Sequence, residues 1–157
     1  MLSEEITQFV GRGGGIRVMH LEKGSISRFA DSVGNTNPLY WDEEHAKNSK
    51  YGSIISVPGF YGWPVKGSND PGFGETMSEL STVLAKNGIT KMLNGGTEFE
   101  YFAPVRAGDT LSATSKIVEI IEREGRAGNL IFIITETTYL NQYGDMVGKS
   151  RGTGIRY

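Results

Sequence analysis

Acid–base chemistry near neutral pH draws first on histidine and on carboxylates in unusual surroundings. The chain has two histidines, and neither stands in a constellation: His20 closes the weakly alternating run Ile16-Arg-Val-Met-His20, and His45 sits in the charged stretch Asp42-Glu-Glu-His-Ala. Both read as solvated or edge residues. Glu98 and Glu100 alternate with Phe99 and so share one face of an extended strand. A solvated strand face accounts for them, with acid–base work by Glu98 or by Asp31 as the sharper alternative.

Other chemistries find less. There is no cysteine, which excludes thiolate metal sites, disulfides and a cysteine nucleophile, and a reducing cytoplasm suits such a chain. Gly13-Gly14-Gly15 lacks the Gly-Lys-Ser/Thr ending of a phosphate loop and reads as a flexible connection. No metal site is expected. Tyr61, Trp63 and Phe73, interleaved with glycines, are candidates either for ordinary core packing or for the wall of an apolar tunnel. Lys66, Arg106 and Arg126 are cations in loops where a phosphate group would find a partner, although each alone reads as exposed.

The elements that must position these residues follow from periodicity. Ser3 with Glu4 and Glu5 resembles a helix start, giving a short helix over 3–10, and residues 16–20 read as a first strand. Ile26, Phe29, Ala30 and Val33 lie at helical spacing over 25–33, with Gly34 placed to stop the helix. Asn35-Thr36-Asn37-Pro38 is turn chemistry, and Asp42 caps a second short helix. Pro58 suits a helix start that Pro64 would end or kink. Met77, Leu80, Val83 and Leu84 define an amphipathic helix over 75–87, stopped by Gly88.

Beyond Gly95 the sequence predicts strands over 97–105, 109–122, 129–141 and 145–157, separated by turn residues at 106–108, 125–128 and 142–144. They form an antiparallel meander. The unbroken apolar run Leu130-Ile-Phe-Ile-Ile134 requires cover on both faces, from a helix or a second subunit. Helices first and a meander afterwards predict an α+β architecture, and 157 residues fit one domain spanning 1–157.

Net charge is −2 with cations scattered along the chain, which leaves no electrostatic footprint for nucleic acid. No apolar run approaches the ~18 residues that span a bilayer, and no membrane association is expected. The expected partners are a small molecule or another protein.

Two motifs then carry a resemblance. Phe29-Ala-Asp-Ser-Val-Gly34-Asn-Thr-Asn-Pro38-Leu-Tyr-Trp-Asp42, followed by Ala46 and Tyr51-Gly52, is similar to the Phe-Ala helix and the Gly-Asp-x-Asn-Pro-x-His-x-Asp turn of MaoC-like (R)-specific enoyl-CoA hydratases and dehydratases. Phe99-Glu-Tyr-Phe-Ala-Pro104-Val-Arg-Ala-Gly108-Asp109-Thr-Leu111 resembles the family's Phe…Pro-Val-x-x-Gly-Asp-x-Leu hairpin entry. The resemblance implies a hotdog fold, a curved antiparallel sheet wrapped around a central helix, with a coenzyme A thioester as substrate and no cofactor.

The departures bear on chemistry. The family's catalytic Asp falls on Asn35 and its His on Tyr40. Hydration of an enoyl thioester needs a base for water and an acid for the α-carbon; an amide does not titrate, and a phenol titrates near 10. Gly59 resembles the helix-start glycine whose N–H polarises the thioester carbonyl, with Pro58 where a His is usual. No catalytic residue is therefore expected. The resemblance points to an N-terminal or partner-type (FAS1-like) domain that binds acyl-CoA through Asn35, Tyr40, Pro58, Gly59, Phe60 and Trp63, and that pairs with a catalytic MaoC-like subunit or with a second copy. Asn35 and Tyr40 also read as a bare turn with a buried aromatic. A stand-alone acyl-CoA-binding module and a self-sufficient hydratase or thioesterase remain the alternatives.

Overall fold

The computed structural model describes residues 2–65, 72–125 and 128–157. Six strands, β1 Arg17–His20, β2 Trp63–Pro64, β3 Met92–Tyr101, β4 Thr110–Gly125, β5 Gly128–Leu140 and β6 Met146–Arg156, form one antiparallel sheet in the order β2-β1-β4-β5-β6-β3. The helices are α1 Glu4–Thr7, α2 Lys23–Ser32, α3 Glu43–Asn48 and α4 Phe73–Lys86, with a single 3-10 turn at Pro38–Tyr40.

Strand β4 shows how the sequence curls this sheet. Leu111, Ala113, Ser115 and Ile117 are buried in strict alternation, and then Ile120 is buried instead of the residue two after Ile117. A register shift between Ile117 and Glu119 against β5 causes the change of parity. One extra residue bends the strand, so both ends keep apolar side chains on the concave face.

Helix α4 lies in that concavity. Leu80 and Leu84 are completely buried against Ile117, Ile120, Ile131 and Ile133, with Ile6 and Phe9 closing the cluster from below. Side chains of this size each contribute roughly 1.5–3 kcal/mol when removed from water. Helix α4 and the turn around α1 cover Ile131 and Ile133 on the concave face, whereas Leu130, Phe132 and Ile134 on the other face are only half-buried, so the expected cover on both faces is found on one.

A second cluster occupies the other end of the concave face, under α2, α3 and the loop of residues 51–61. It includes Ile26, Ala30, Ile54, Val57, Phe60 and Leu111, and adds three tyrosines, Tyr40, Tyr61 and Tyr139. Between the clusters runs a hydroxyl belt. Ser115 and Thr137 pair at 2.9 Å, and Tyr139 meets Ser150 at 3.3 Å.

The helices predicted over 25–33 and 75–87 form as α2 and α4, and Asp42 caps α3 by accepting the His45 N–H at 3.0 Å. Four expectations need correction. The helix over 3–10 shrinks to the single turn Glu4–Thr7, where the Ser3 side chain makes no cap bond. No helix starts at Pro58: Gly59 has φ +87°, the chain turns, and Trp63–Pro64 instead pairs with β1 at the sheet's edge. Strand β3 begins five residues before the predicted 97, because Gly95–Gly96 forms a bulge within the strand (Gly96 φ +138°) and does not end it. Finally, the segment 99–111 is no hairpin: it crosses from β3 on one edge to β4, with β6 and β5 in between.

Among the described residues no helix is long and apolar enough to cross a membrane.

Candidate functional site

Where the 51–61 loop meets the end of β3, the structure encloses a pocket of about 320 Å³. Tyr51, Ile55, Val57, Pro58, Phe60 and Tyr61 line it from the loop, and Tyr101, Phe102, Pro104 and Val105 from the strand end. The walls are held from behind. Ser56 gives its hydroxyl to the Phe60 carbonyl at 2.5 Å, and the Ser56 N–H bonds to the Val105 carbonyl at 2.7 Å. Phe60 stacks on Phe29 of α2 at 4.6 Å.

Tyr61 is the centre of an aromatic stack. Its ring lies 3.8 Å from that of Tyr139 and nearly parallel, with Phe99 and Tyr101 at 6.3 and 6.4 Å. Its hydroxyl is buried over Gly148 of β6 and has no hydrogen-bond partner among the described residues. A Cβ at Gly148 would sit 2.2 Å from that oxygen, so the glycine makes room for the phenol.

Burial pushes the Tyr61 phenol well above its ordinary value, and the neighbouring Tyr101 and Tyr139 push it further. Burial also raises Tyr101, partly offset by a hydrogen bond with the Gly59 backbone. Tyr40 is raised by burial and by Tyr51. Among the described residues, no carboxylate or imidazole lines the pocket.

The sequence-derived residues separate in space. Pro58 and Phe60 line the pocket, and Gly59 between them faces the Phe99 ring, which a Cβ at that position would meet at 3.7 Å, its backbone engaged by Tyr101. Trp63 is largely exposed and touches the site only through an edge contact with Phe60 at 5.6 Å. Asn35 and Tyr40 are absent from the lining. The Asn35 carbonyl oxygen accepts the Asn37 N–H at 3.1 Å, and Asn37 repeats the bond with Leu39, so two successive side-chain turns fix the loop. Tyr40 is buried in the core beneath.

Glu98 and Glu100 are exposed on the convex face, opposite Arg151 and Lys149 of β6. Asp31 is exposed on α2, and His20 bonds Thr110 at 2.9 Å on the surface. Arg106 bonds the Asp109 carboxylate through its backbone and the Tyr51 carbonyl through its side chain. Lys66 and Arg126 lie outside the described residues. Tyr51, Tyr101 and Phe102 line the pocket without having been singled out; the alternation of residues 98–101, which sets Phe99 and Tyr101 on one face, was the available signal for Tyr101.

A second cavity of about 300 Å³ lies between α4 and the far strands, walled by Phe73, Met77, Met92 and Ile133 over Gly152 and Gly154. Phe73 therefore belongs to a different space from Tyr61.

Comparison with known proteins places this geometry. Residues 8–149 match the family model described as FAS1-like, dehydratase domain region. The chain is 29% identical over 139 residues to a probable enoyl-CoA hydratase alpha subunit of Thermomonospora curvata, covering 84% of this chain and 43% of that protein. It is 35% identical over 108 residues to a UPF0336 protein of Streptomyces avermitilis, covering 66% and 63%. The chain thus spans about half to two thirds of the length of these relatives. A chain of the ChsH1–ChsH2 complex of Mycobacterium tuberculosis shares the fold with a TM-score of 0.73 at 16% identity, covering 92% of this chain and 88% of that one. A chain of the HadBC (3R-hydroxyacyl-ACP dehydratase) complex of the same organism does so at 0.64 and 19%, covering 98% and 99%. The curled sheet around α4 is a hotdog fold, and the chain belongs to the FAS1-like dehydratase-region family of MaoC-like proteins.

Proposed function

We propose that this chain is the acyl-binding, non-catalytic half of an enoyl-CoA hydratase or 3-hydroxyacyl-CoA dehydratase, completed by a MaoC-like subunit that carries the Asp/His pair. The observation that carries the reading is the pocket itself. Among the described residues it is largely apolar and aromatic, of a size that takes part of a small ligand, and polar through Ser56 and three phenols, of which burial opposes the ionisation of Tyr61 and Tyr101. Such a lining holds an apolar acyl group but supplies neither a base for water nor an acid for carbon at neutral pH. Asn35 and Tyr40 reinforce this, since the amide is spent on its own turn and the phenol is buried away from the pocket.

The T. curvata relative, a probable enoyl-CoA hydratase subunit, and the two M. tuberculosis complexes support the assembly. Self-sufficient catalysis through Glu98 or Asp31 gains no support, because both face solvent away from the pocket.

The test is hydration of crotonyl-CoA, followed by loss of enoyl absorbance. This chain alone is expected to turn over far below one per second, the low end of ordinary enzyme rates. Mixed with a MaoC-like subunit bearing the intact pair, it is expected to raise that subunit's rate on longer enoyl chains. Full activity of this chain alone sinks the proposal.

A further inference from the structure

The aromatic pocket carries charge at one point of its rim. Tyr51 lines the pocket, and two cations converge on that residue: the Lys50 ammonium lies 5.1 Å from the centre of its ring, and the Arg106 Nε donates to its carbonyl at 3.4 Å. Arg106 is tied to the lining twice more, since it follows Val105 in the chain and its backbone bridges that of Ile55.

Both cations are exposed, and among the described residues neither forms an ion pair. Elsewhere on the surface such pairs do form: Arg12 meets Glu79, Lys23 meets Glu43 and Arg151 meets Glu136. The acid closest to Arg106 in the sequence, Asp109, is engaged otherwise. Its carboxylate accepts the Arg106 backbone N–H at 2.7 Å and the Gln142 Nε2 at 3.0 Å. These bonds fix the turn that presents the guanidinium and leave the guanidinium itself without an acid.

The lining offers nothing comparable. Among the described residues it holds no charged side chain, so a charged oxygen on a ligand is stabilised only beside Tyr51. Guanidinium and ammonium groups make short, charge-assisted bonds to phosphate and carboxylate oxygens, and the ring beneath Lys50 favours an ammonium at that place. A few polar groups set on an apolar pocket fix the orientation of what enters it.

We infer that Lys50 and Arg106 form a binding point for an anionic oxygen group, a phosphate or a carboxylate, carried by the thioester whose acyl group occupies the pocket. This rests on the reading of the chain as an acyl-binding half, and it adds which thioesters that half prefers. Two parts of such a ligand bear the required chemistry: the phosphate of the carrier arm, and a carboxylate at the far end of the acyl chain.

Isothermal titration calorimetry of the full chain separates them with synthetic thioesters: neutral hexanoyl-pantetheine, hexanoyl-phosphopantetheine with an added phosphate, and adipoyl-pantetheine with a terminal carboxylate. Wild type is expected to bind at least one of the anions roughly tenfold more tightly than the neutral thioester, a gain that fades at high salt. A gain for the phosphate sets the carrier arm at the rim, and a gain for the carboxylate sets the end of the acyl chain there. Lys50→Gln/Arg106→Gln is expected to bind all of them alike. Because Arg106 also bonds the Tyr51 carbonyl, Lys50→Gln serves as a second variant that breaks no hydrogen bond to the backbone, and it is expected to lose part of the gain. Equal affinities in wild type, or a gain that persists in the double variant, overturn the inference and leave the acyl-binding reading standing. Failure of every thioester to bind overturns that reading and the inference with it.

Discussion

The two ends of the concave face solve the same packing problem with different materials. Under α4 the contacts are aliphatic, between leucines and isoleucines whose only demand is volume. Under the 51–61 loop they are aromatic and carry hydroxyls, including one on Tyr61 that is buried without a partner. The first end is a core of fully buried leucines and isoleucines, with the cavity of Phe73, Met77 and Met92 at its margin. The second borders the aromatic pocket, a concave and largely apolar space of the kind that takes a small ligand.

Substitutions that strike one end and spare the other test this contrast. The largest effect is expected at the helix. Leu84→Ala removes a fully buried side chain and should cost about 2–5 kcal/mol in urea unfolding, with no change in acyl-CoA affinity of the folded fraction. Gly148→Ala comes next: its Cβ would lie 2.2 Å from the Tyr61 oxygen, so the ring must shift at a cost of about 1–3 kcal/mol. Acyl-CoA affinity should fall with it, and unchanged binding would remove Tyr61 from the site.

Tyr61→Phe deletes the unpartnered hydroxyl and should stabilise the fold by up to about 1 kcal/mol, read as a rise in thermal midpoint. It also has a pH signature. The folded phenol titrates above the unfolded one, so the folded state holds the proton more tightly; stability is intact below pH ~10 and falls above it by about 1.4 kcal/mol per pH unit. The phenylalanine variant should lose that part of the slope. The smallest effect is expected at Gly154→Val. Its backbone is not left-handed and a Cβ there meets nothing nearer than the Ile133 carbonyl at 3.9 Å, so stability should stay within about 0.5 kcal/mol. Two glycines on one face of one strand should thus respond unequally, the first with a loss of stability and the second with none.

The aliphatic end was legible in the sequence because it is periodic. Met77, Leu80, Val83 and Leu84 define a helix whatever surrounds it, and Asp42 caps α3 through a bond three residues away. The aromatic end was legible only in part. Pro58 and Phe60 do line the pocket, but Pro58-Gly59 was read as a helix start when the left-handed glycine makes a turn. Gly95–Gly96 was read as a boundary when it is a bulge, because whether a glycine pair ends a strand depends on the neighbour it pairs with. The position of β3 at the far edge, and with it Tyr101 beside Tyr61, is decided by long-range pairing that no local pattern records.

The loop of residues 35–40 also sets how readily the Asp and His that the resemblance assigns to positions 35 and 40 could be installed in this chain. Asparagine and aspartate have nearly the same shape, and Asn35 already acts through its oxygen, so Asn35→Asp would keep the turn bond to Asn37. Tyr40→His would not be so lightly borne, since a smaller, polar ring would replace a phenol closed within the core. The two steps toward an acid–base pair are therefore unequal: the first is open to a single neutral change, and the second waits on repacking of the core around residue 40.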